Sequence, residues 1–202
     1  MEIIPYIFDT FMKPFEKIAL NKRRKRLLRK VSGQVLEIGA GTGVNFGYYD
    51  LDNIESLTVV DLKFNNIIKK HDFNKITSVN YIEGDVHNLP FDDYTFDSVV
   101  TTLIFCSVDN LQLALKEVYR ILKPGGKIYF IEHVLPEKVV YKNIVNTLNS
   151  TWKIIGKCNV NRKTLNNIEE ANFKIMDIER FGMAFFIFIA GVGIKKYHEK
   201  SS

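Results

Sequence analysis

The run Val35-Leu36-Glu37-Ile38-Gly39-Ala40-Gly41-Thr42-Gly43 passes from an apolar strand pattern into a glycine turn. Apolar residues up to Ile38 read as a strand buried on both faces. The glycines that follow let the backbone pass close under a nucleotide-like ligand. A dinucleotide fingerprint would place glycine three residues after Gly41, where this chain has Val44, and no phosphate-binding Gly-Lys-Ser/Thr is present. Glu37 aims an acid at the loop. That opposes a pyrophosphate and suits a ligand carrying an ammonium and a sulfonium.

Outward from this stretch, further strand-like runs fall at 34–38, 57–61, 79–83, 96–101 and 127–132, alternating with helical patterns. Such alternation reads as βαβ units, hence an α/β doubly wound parallel sheet with helices on both faces. The clearest helix precedes the fifth run. Asp109 is placed to cap it, with Gln112 completing a capping box. Leu111, Ala114, Leu115, Val118, Ile121 and Leu122 form its apolar stripe, and Pro124-Gly125-Gly126 stops it. A second helix is expected to start at Asn161-Arg162 with Asn161 as cap. The tail differs. Runs 173–179 and 185–194 follow one another without a helix, as a hairpin-type pair closing the sheet edge.

Two more acids fall at the ends of neighbouring strands, where open α/β sheets bind ligands. Asp61 lies 20 residues after Gly41 and can accept from both ribose hydroxyls. Asp85, in Glu83-Gly84-Asp85-Val86, can accept from an exocyclic adenine amino group. His133 follows the fifth strand at the expected substrate mouth and is the candidate general base. Cys106 lies past the fourth strand near the same mouth, and Arg162 is a candidate acceptor contact. His71, His87, His133 and His198 share no metal-ligand spacing, so no metal is expected.

The chain has 202 residues, 46% hydrophobic and 25% charged, an ordinary globular balance that excludes wholesale disorder. The net charge of +5 is local: nine of the 28 bases lie in residues 1–30, against three acids. From Val31 onward the net charge is −1. The sequence therefore divides into a basic amphipathic helical segment, 1–30, and a catalytic-type domain, 31–202. Aromatic residues of the first segment, Tyr6 and Phe11 among them, can close over an apolar substrate. Its bases can rest on an anionic membrane. Two cysteines exclude a disulfide scaffold. No stretch reaches the roughly 20 apolar residues of a spanning helix. The start lacks the basic and small-residue marks of a signal peptide. The expectation is a cytoplasmic protein with peripheral membrane contact.

The loop 35–43, Asp61, Gly84-Asp85-Val86, Phe96-Asp97-Ser98-Val99-Val100 and Leu122-Lys123-Pro124-Gly125-Gly126 together resemble the class I S-adenosylmethionine-dependent methyltransferases, of the methyltransferase type 11 kind. The resemblance covers about residues 31–194. It is most similar to a branch containing thiol S-methyltransferases and bacterial phospholipid N-methyltransferase-like enzymes, through Thr102–Val108, Phe130–Val134 and Cys158–Arg162. It implies a Rossmann-like sheet of seven strands, the last antiparallel, with S-adenosyl-L-methionine as cofactor and S-adenosyl-L-homocysteine as product. The cofactor shell it implies is Glu37, Gly39, Ala40, Gly41, Thr42, Gly43, Asp61, Leu62, Asp85, Val86 and Thr102. The acceptor it implies is a small lipophilic molecule, a thiol or a lipid-like amine. Alternatives are a quinone-type carbon, or a non-catalytic module that only holds the cofactor. Nucleic acid is not expected as substrate. Thr101-Thr102-Leu103-Ile104 follows the fourth strand, in place of the Asp/Asn-Pro-Pro-aromatic signature for exocyclic amines of bases, and the body is not basic.

Overall fold

The computed structural model describes residues 19–64, 68, 73, 75–141, 143, 145, 147, 159, 161–183 and 186–197. Seven strands make one sheet: β1 (Gly33–Ile38), β2 (Ile54–Asp61), β3 (Ser78–Glu83), β4 (Phe96–Thr102), β5 (Leu122–Val134), β6 (Phe173–Met183) and β7 (Phe186–Lys195). Their order is β3-β2-β1-β4-β5-β7-β6. All neighbours pair in parallel until β7, which runs antiparallel to both β5 and β6. The chain thus leaves β1 toward β2 and β3, then returns to the other side of β1 with β4. The crevice where such an order reverses is where open α/β sheets bind ligands.

Period-two alternation divides the core. On one face lie Val35, Leu57, Val59, Val100, Tyr129, Ile131 and Ala190, packed with Leu20, Leu27 and Leu28 around helix α1 (Asn21–Leu28). On the other lie Leu36, Val60, Val99, Ile128, Phe130 and Ile189. They are covered by the apolar stripe of α2 (Leu111–Ile121) and by Ile168 of α3 (Thr164–Glu170). Each fully buried leucine on these faces contributes about 1.5–3 kcal/mol.

Two local expectations are corrected. Helix α2 is capped by Asn110, whose side chain accepts from the Leu113 N–H, and Asp109 does not cap it. Asn110 holds the extended backbone a cap requires (φ −112°), and Gln112 turns away to donate to Glu170. Helix α3 begins at Thr164, so Asn161 does not cap it. Finally, the division at residue 30 is not a break in packing. Leu20, Leu27, Leu28 and Val31 belong to one continuous core with the sheet. Arg23 pairs with Glu179 and Arg26 with Asp177, both on β6, so much of the basic helix faces protein. Tyr6 and Phe11 lie outside the described residues.

No described helix is long and apolar enough to cross a membrane.

Candidate active site

The strand β1 ends in a turn that only glycine suits. Gly39, Gly41 and Gly43 all take positive φ, at 70°, 58° and 82°. A Cβ on Gly39 would fall on the side chain of Ile104. A Cβ on Gly41 would meet nothing within 4 Å, so open space lies directly above that residue. The turn is held below by Gly39 N–H donating to Val60 O (2.8 Å) and Gly43 N–H donating to Ala40 O (2.8 Å).

Glu37 points from β1 to the α1 face and is 1% exposed. Its Oε1 accepts from Asn45 Nδ2 (2.8 Å) and its Oε2 from the Tyr49 hydroxyl (2.6 Å). Burial pushes its carboxyl up to about 7, against the lowering pull of the Tyr49 and Asn45 hydrogen bonds and of the Arg24 charge. Thr102, at the end of β4, accepts from Asn45 Nδ2 (2.9 Å) and from an Arg24 guanidinium nitrogen (3.1 Å). Arg24 also donates to Asn45 Oδ1. The result is a buried cluster spanning the ends of β1 and β4 and the inner face of α1.

Asp61, at the end of β2, accepts from the Gly41 N–H (3.1 Å) and is pushed up from the ordinary carboxylate range by burial. It therefore borders the open space above Gly41. Leu62 beside it is 74% exposed. Asp85 is different. It accepts from the His87 backbone N–H (2.9 Å) and ring Nδ1 (2.6 Å), and the first of these chiefly holds its carboxyl below the ordinary value. His87 Nε2 in turn accepts from the Asn110 N–H (3.3 Å), tying this acid to the start of α2. Val86 is buried behind it.

The remaining candidates separate. His133 shares the face of Glu37 and Thr102, at the end of β5, with its ring 5.0 Å from that of Phe188. Cys106 sits in a small apolar cluster with Val145 and Leu135, its Sγ directed at Leu103 O (3.6 Å). Arg162 is not arranged as an acceptor contact. It donates to the backbone carbonyls of Phe105 (2.9 Å), Val108 and Asp109. Among the described residues no group of three or more His, Cys, Asp or Glu could hold a metal ion.

A methyltransferase domain family matches residues 36–130. Thiol S-methyltransferase TMT1B of Rattus norvegicus is 30% identical over 87% of this chain and 77% of that protein. The chain belongs to the class I S-adenosylmethionine-dependent methyltransferases. A demethylmenaquinone methyltransferase of Chlorobaculum tepidum is 29% identical over 63% of the chain and 52% of its own length. The N-methyltransferase NodS of Bradyrhizobium japonicum, solved with S-adenosyl-L-homocysteine, superposes with a TM-score of 0.63 at 17% identity, over 87% of this chain and 86% of that one. That likeness shows the fold.

S-adenosylmethionine is the cofactor of this methyltransferase, and the residues present fit it. Asp61 borders the space above Gly41, and the buried cluster around Glu37 lies on the strand that leads into the same turn. Sequence reasoning missed Arg24, Asn45, Tyr49, His87 and Glu132. Asn45 and Tyr49 flank the short 3-10 turn Phe46–Tyr48, just past the glycines. Glu132 is fully buried. Its carboxylate accepts from the backbone N–H groups of Ile104 and Phe105 (both 3.1 Å) and of Cys106 (3.3 Å). It thereby fixes the loop that follows Thr102 while Arg162 holds the same loop by its carbonyls. Leu103 within that loop takes φ +58°, strain that this double clamp sustains.

Proposed function

We propose that this methyltransferase moves the cofactor's methyl group to the sulfur of a small lipophilic thiol. The observation that carries the reading is the likeness to a thiol S-methyltransferase over 77% of that protein's length. The bound cofactor supplies an electrophilic methyl on a sulfonium whose leaving group, a neutral thioether, is already good. The chain must then align the nucleophile at about 3–3.5 Å and exclude water. The clamped loop 103–109 and the apolar surroundings of His133 on β5 suit that task. A thiol with an ordinary pKa near 8.5 needs only modest help to lose its proton. His133, on the same sheet face as Glu37 and Thr102, is the base this reading assigns to take it. The exposed bases Lys22, Lys25, Arg29 and Lys30 on and just after α1 suit peripheral contact with an anionic membrane, from which a lipophilic acceptor would arrive. A quinone-type carbon acceptor is the second reading, favoured by the likeness to the demethylmenaquinone enzyme over 63% of the chain.

The test is S-adenosylhomocysteine formation by the purified protein with a short alkyl thiol, with amine-headgroup vesicles and with a demethylated quinone in parallel. Turnover on the thiol is expected, with His133→Gln slowing it about 100-fold at neutral pH and recovering as the thiol ionises. Turnover on the quinone or the vesicles alone would replace the thiol reading.

A further inference from the structure

We propose that Glu132 is a positioning residue for methyl transfer: together with Arg162 it fixes the loop 103–109 as the wall that sets the acceptor against the cofactor. The inference rests on the reading that the acceptor meets the cofactor at the carboxyl end of β4.

The loop begins at a strained residue. Leu103 still pairs with β5, its N–H donating to Ile131 O (2.8 Å), yet it takes φ +58°. A bulky side chain rarely holds that backbone, and such strain persists only where the surroundings over-determine it. The chain then crosses to the glycine turn. The Ile104 side chain fills the place where a Cβ on Gly39 would stand, so the loop rests on the turn that borders the cofactor space.

Three successive N–H groups, of Ile104, Phe105 and Cys106, converge on one carboxylate, that of Glu132 on β5. Burying a carboxylate is costly, and amide donors aimed at its charge offset that cost. The grip is matched from the other side. Phe105 gives its N–H to Glu132 while its carbonyl accepts from Arg162, which also donates to Val108 O and Asp109 O. Cys106 O accepts from the Asn159 N–H (2.7 Å), and Arg162 O from the Leu135 N–H (3.2 Å), so the chain that follows β5 is tied to the same loop. The bonds from the Glu132 and Arg162 side chains all end on loop backbone. They set the path of the loop and leave its side chains to meet the acceptor. His133, next along β5, points to the opposite face of the sheet, so one strand carries both the anchor of this wall and the base assigned above. A misplacement of about 1 Å at reacting atoms is enough to cost about 100-fold in rate.

The experiment compares wild type, Glu132→Gln and Arg162→Gln in three ways. Steady-state constants are measured with whichever of the thiol, the vesicles and the quinone wild type turns over. S-adenosylhomocysteine affinity is measured by calorimetry, and amide hydrogen exchange is followed at residues 104–106. Each variant is expected to lose roughly 10- to 100-fold in kcat/KM for the acceptor, with S-adenosylhomocysteine affinity changed by a few-fold at most and faster exchange at the three amides. A merely structural carboxylate would lower stability and leave the kinetic constants of the folded protein unchanged. Unchanged kcat/KM in the folded variants, or a loss matched by an equal loss of S-adenosylhomocysteine affinity, would overturn the proposal. Should Glu132→Gln fail to fold, unchanged kcat/KM in Arg162→Gln would still overturn it. If wild type turned over none of the three acceptors, the acceptor reading would fall, and unaltered exchange at residues 104–106 in Glu132→Gln would separately overturn the clamp.

Discussion

Two acids near the ends of β1 and β3 are built in opposite ways. Glu37 is buried, bonded on both oxygens, and raised to about 7. Asp85 is half exposed, held by the neighbouring His87, and lowered. On one side lies a prearranged buried cluster inside the core between α1 and the sheet. On the other lies an exposed acid held by hydrogen bonds from the neighbouring His87. A buried ionisable network costs stability when its ligand is away and rewards the ligand that completes it. An exposed pair does little of either.

The sharpest way to break the buried half is Gly39→Val. The positive φ alone costs about 1–3 kcal/mol, and the new side chain must displace Ile104. A loss of about 3 kcal/mol or more in urea unfolding is expected, with S-adenosylhomocysteine binding abolished.

Glu37→Gln comes next and separates stability from binding. The carboxyl ionises near 4.5 when unfolded and near 7 when folded. Between those values the folded chain holds more protons, so its stability falls as pH rises through that window and stays level above it. At pH 8 the variant should be more stable than wild type by up to about 3 kcal/mol, the difference vanishing below pH 4.5. Its affinity for S-adenosylhomocysteine should nevertheless drop. Urea titrations at the two pH values, with calorimetric binding, check both signs.

Asp61→Ala sits between the two halves. It removes the proposed ribose partner and the acceptor of the Gly41 N–H, and should weaken S-adenosylhomocysteine about 10- to 100-fold with a smaller effect on stability. The least effect is expected of His87→Ala. An exposed pair is worth about 0.2–1 kcal/mol, so melting temperature should shift by a few degrees at most and affinity by a few-fold. If His87→Ala proved costlier than Glu37→Gln proved stabilising, the contrast between the halves would be wrong.

What sequence could reveal follows the same division. The strands of the sheet, the glycine turn and the positions of Glu37, Asp61 and Asp85 near strand ends were legible because each depends on local pattern: apolar period, turn residues, and the strand end. The hairpin-type tail was legible because no helical pattern separates its two runs. Arg24 was hidden inside a charge run whose usual fate is a solvated face. Its spacing from Leu20, Leu27 and Leu28 was the available signal. Glu132 and Arg162 left no signal, because their partners are backbone groups of a loop 26 to 57 residues away, and any sequence supplies those. The cap of α2 went to Asn110 over Asp109 because the choice turns on one residue's backbone angles.

The most direct measurement is a crystal structure with S-adenosylhomocysteine bound. The account predicts the nucleoside above Gly41 between Asp61 and Asp85, with the amino-acid end directed to Glu37. A ligand whose amino-acid end left Glu37 untouched, or whose ribose made no contact with Asp61, would contradict it.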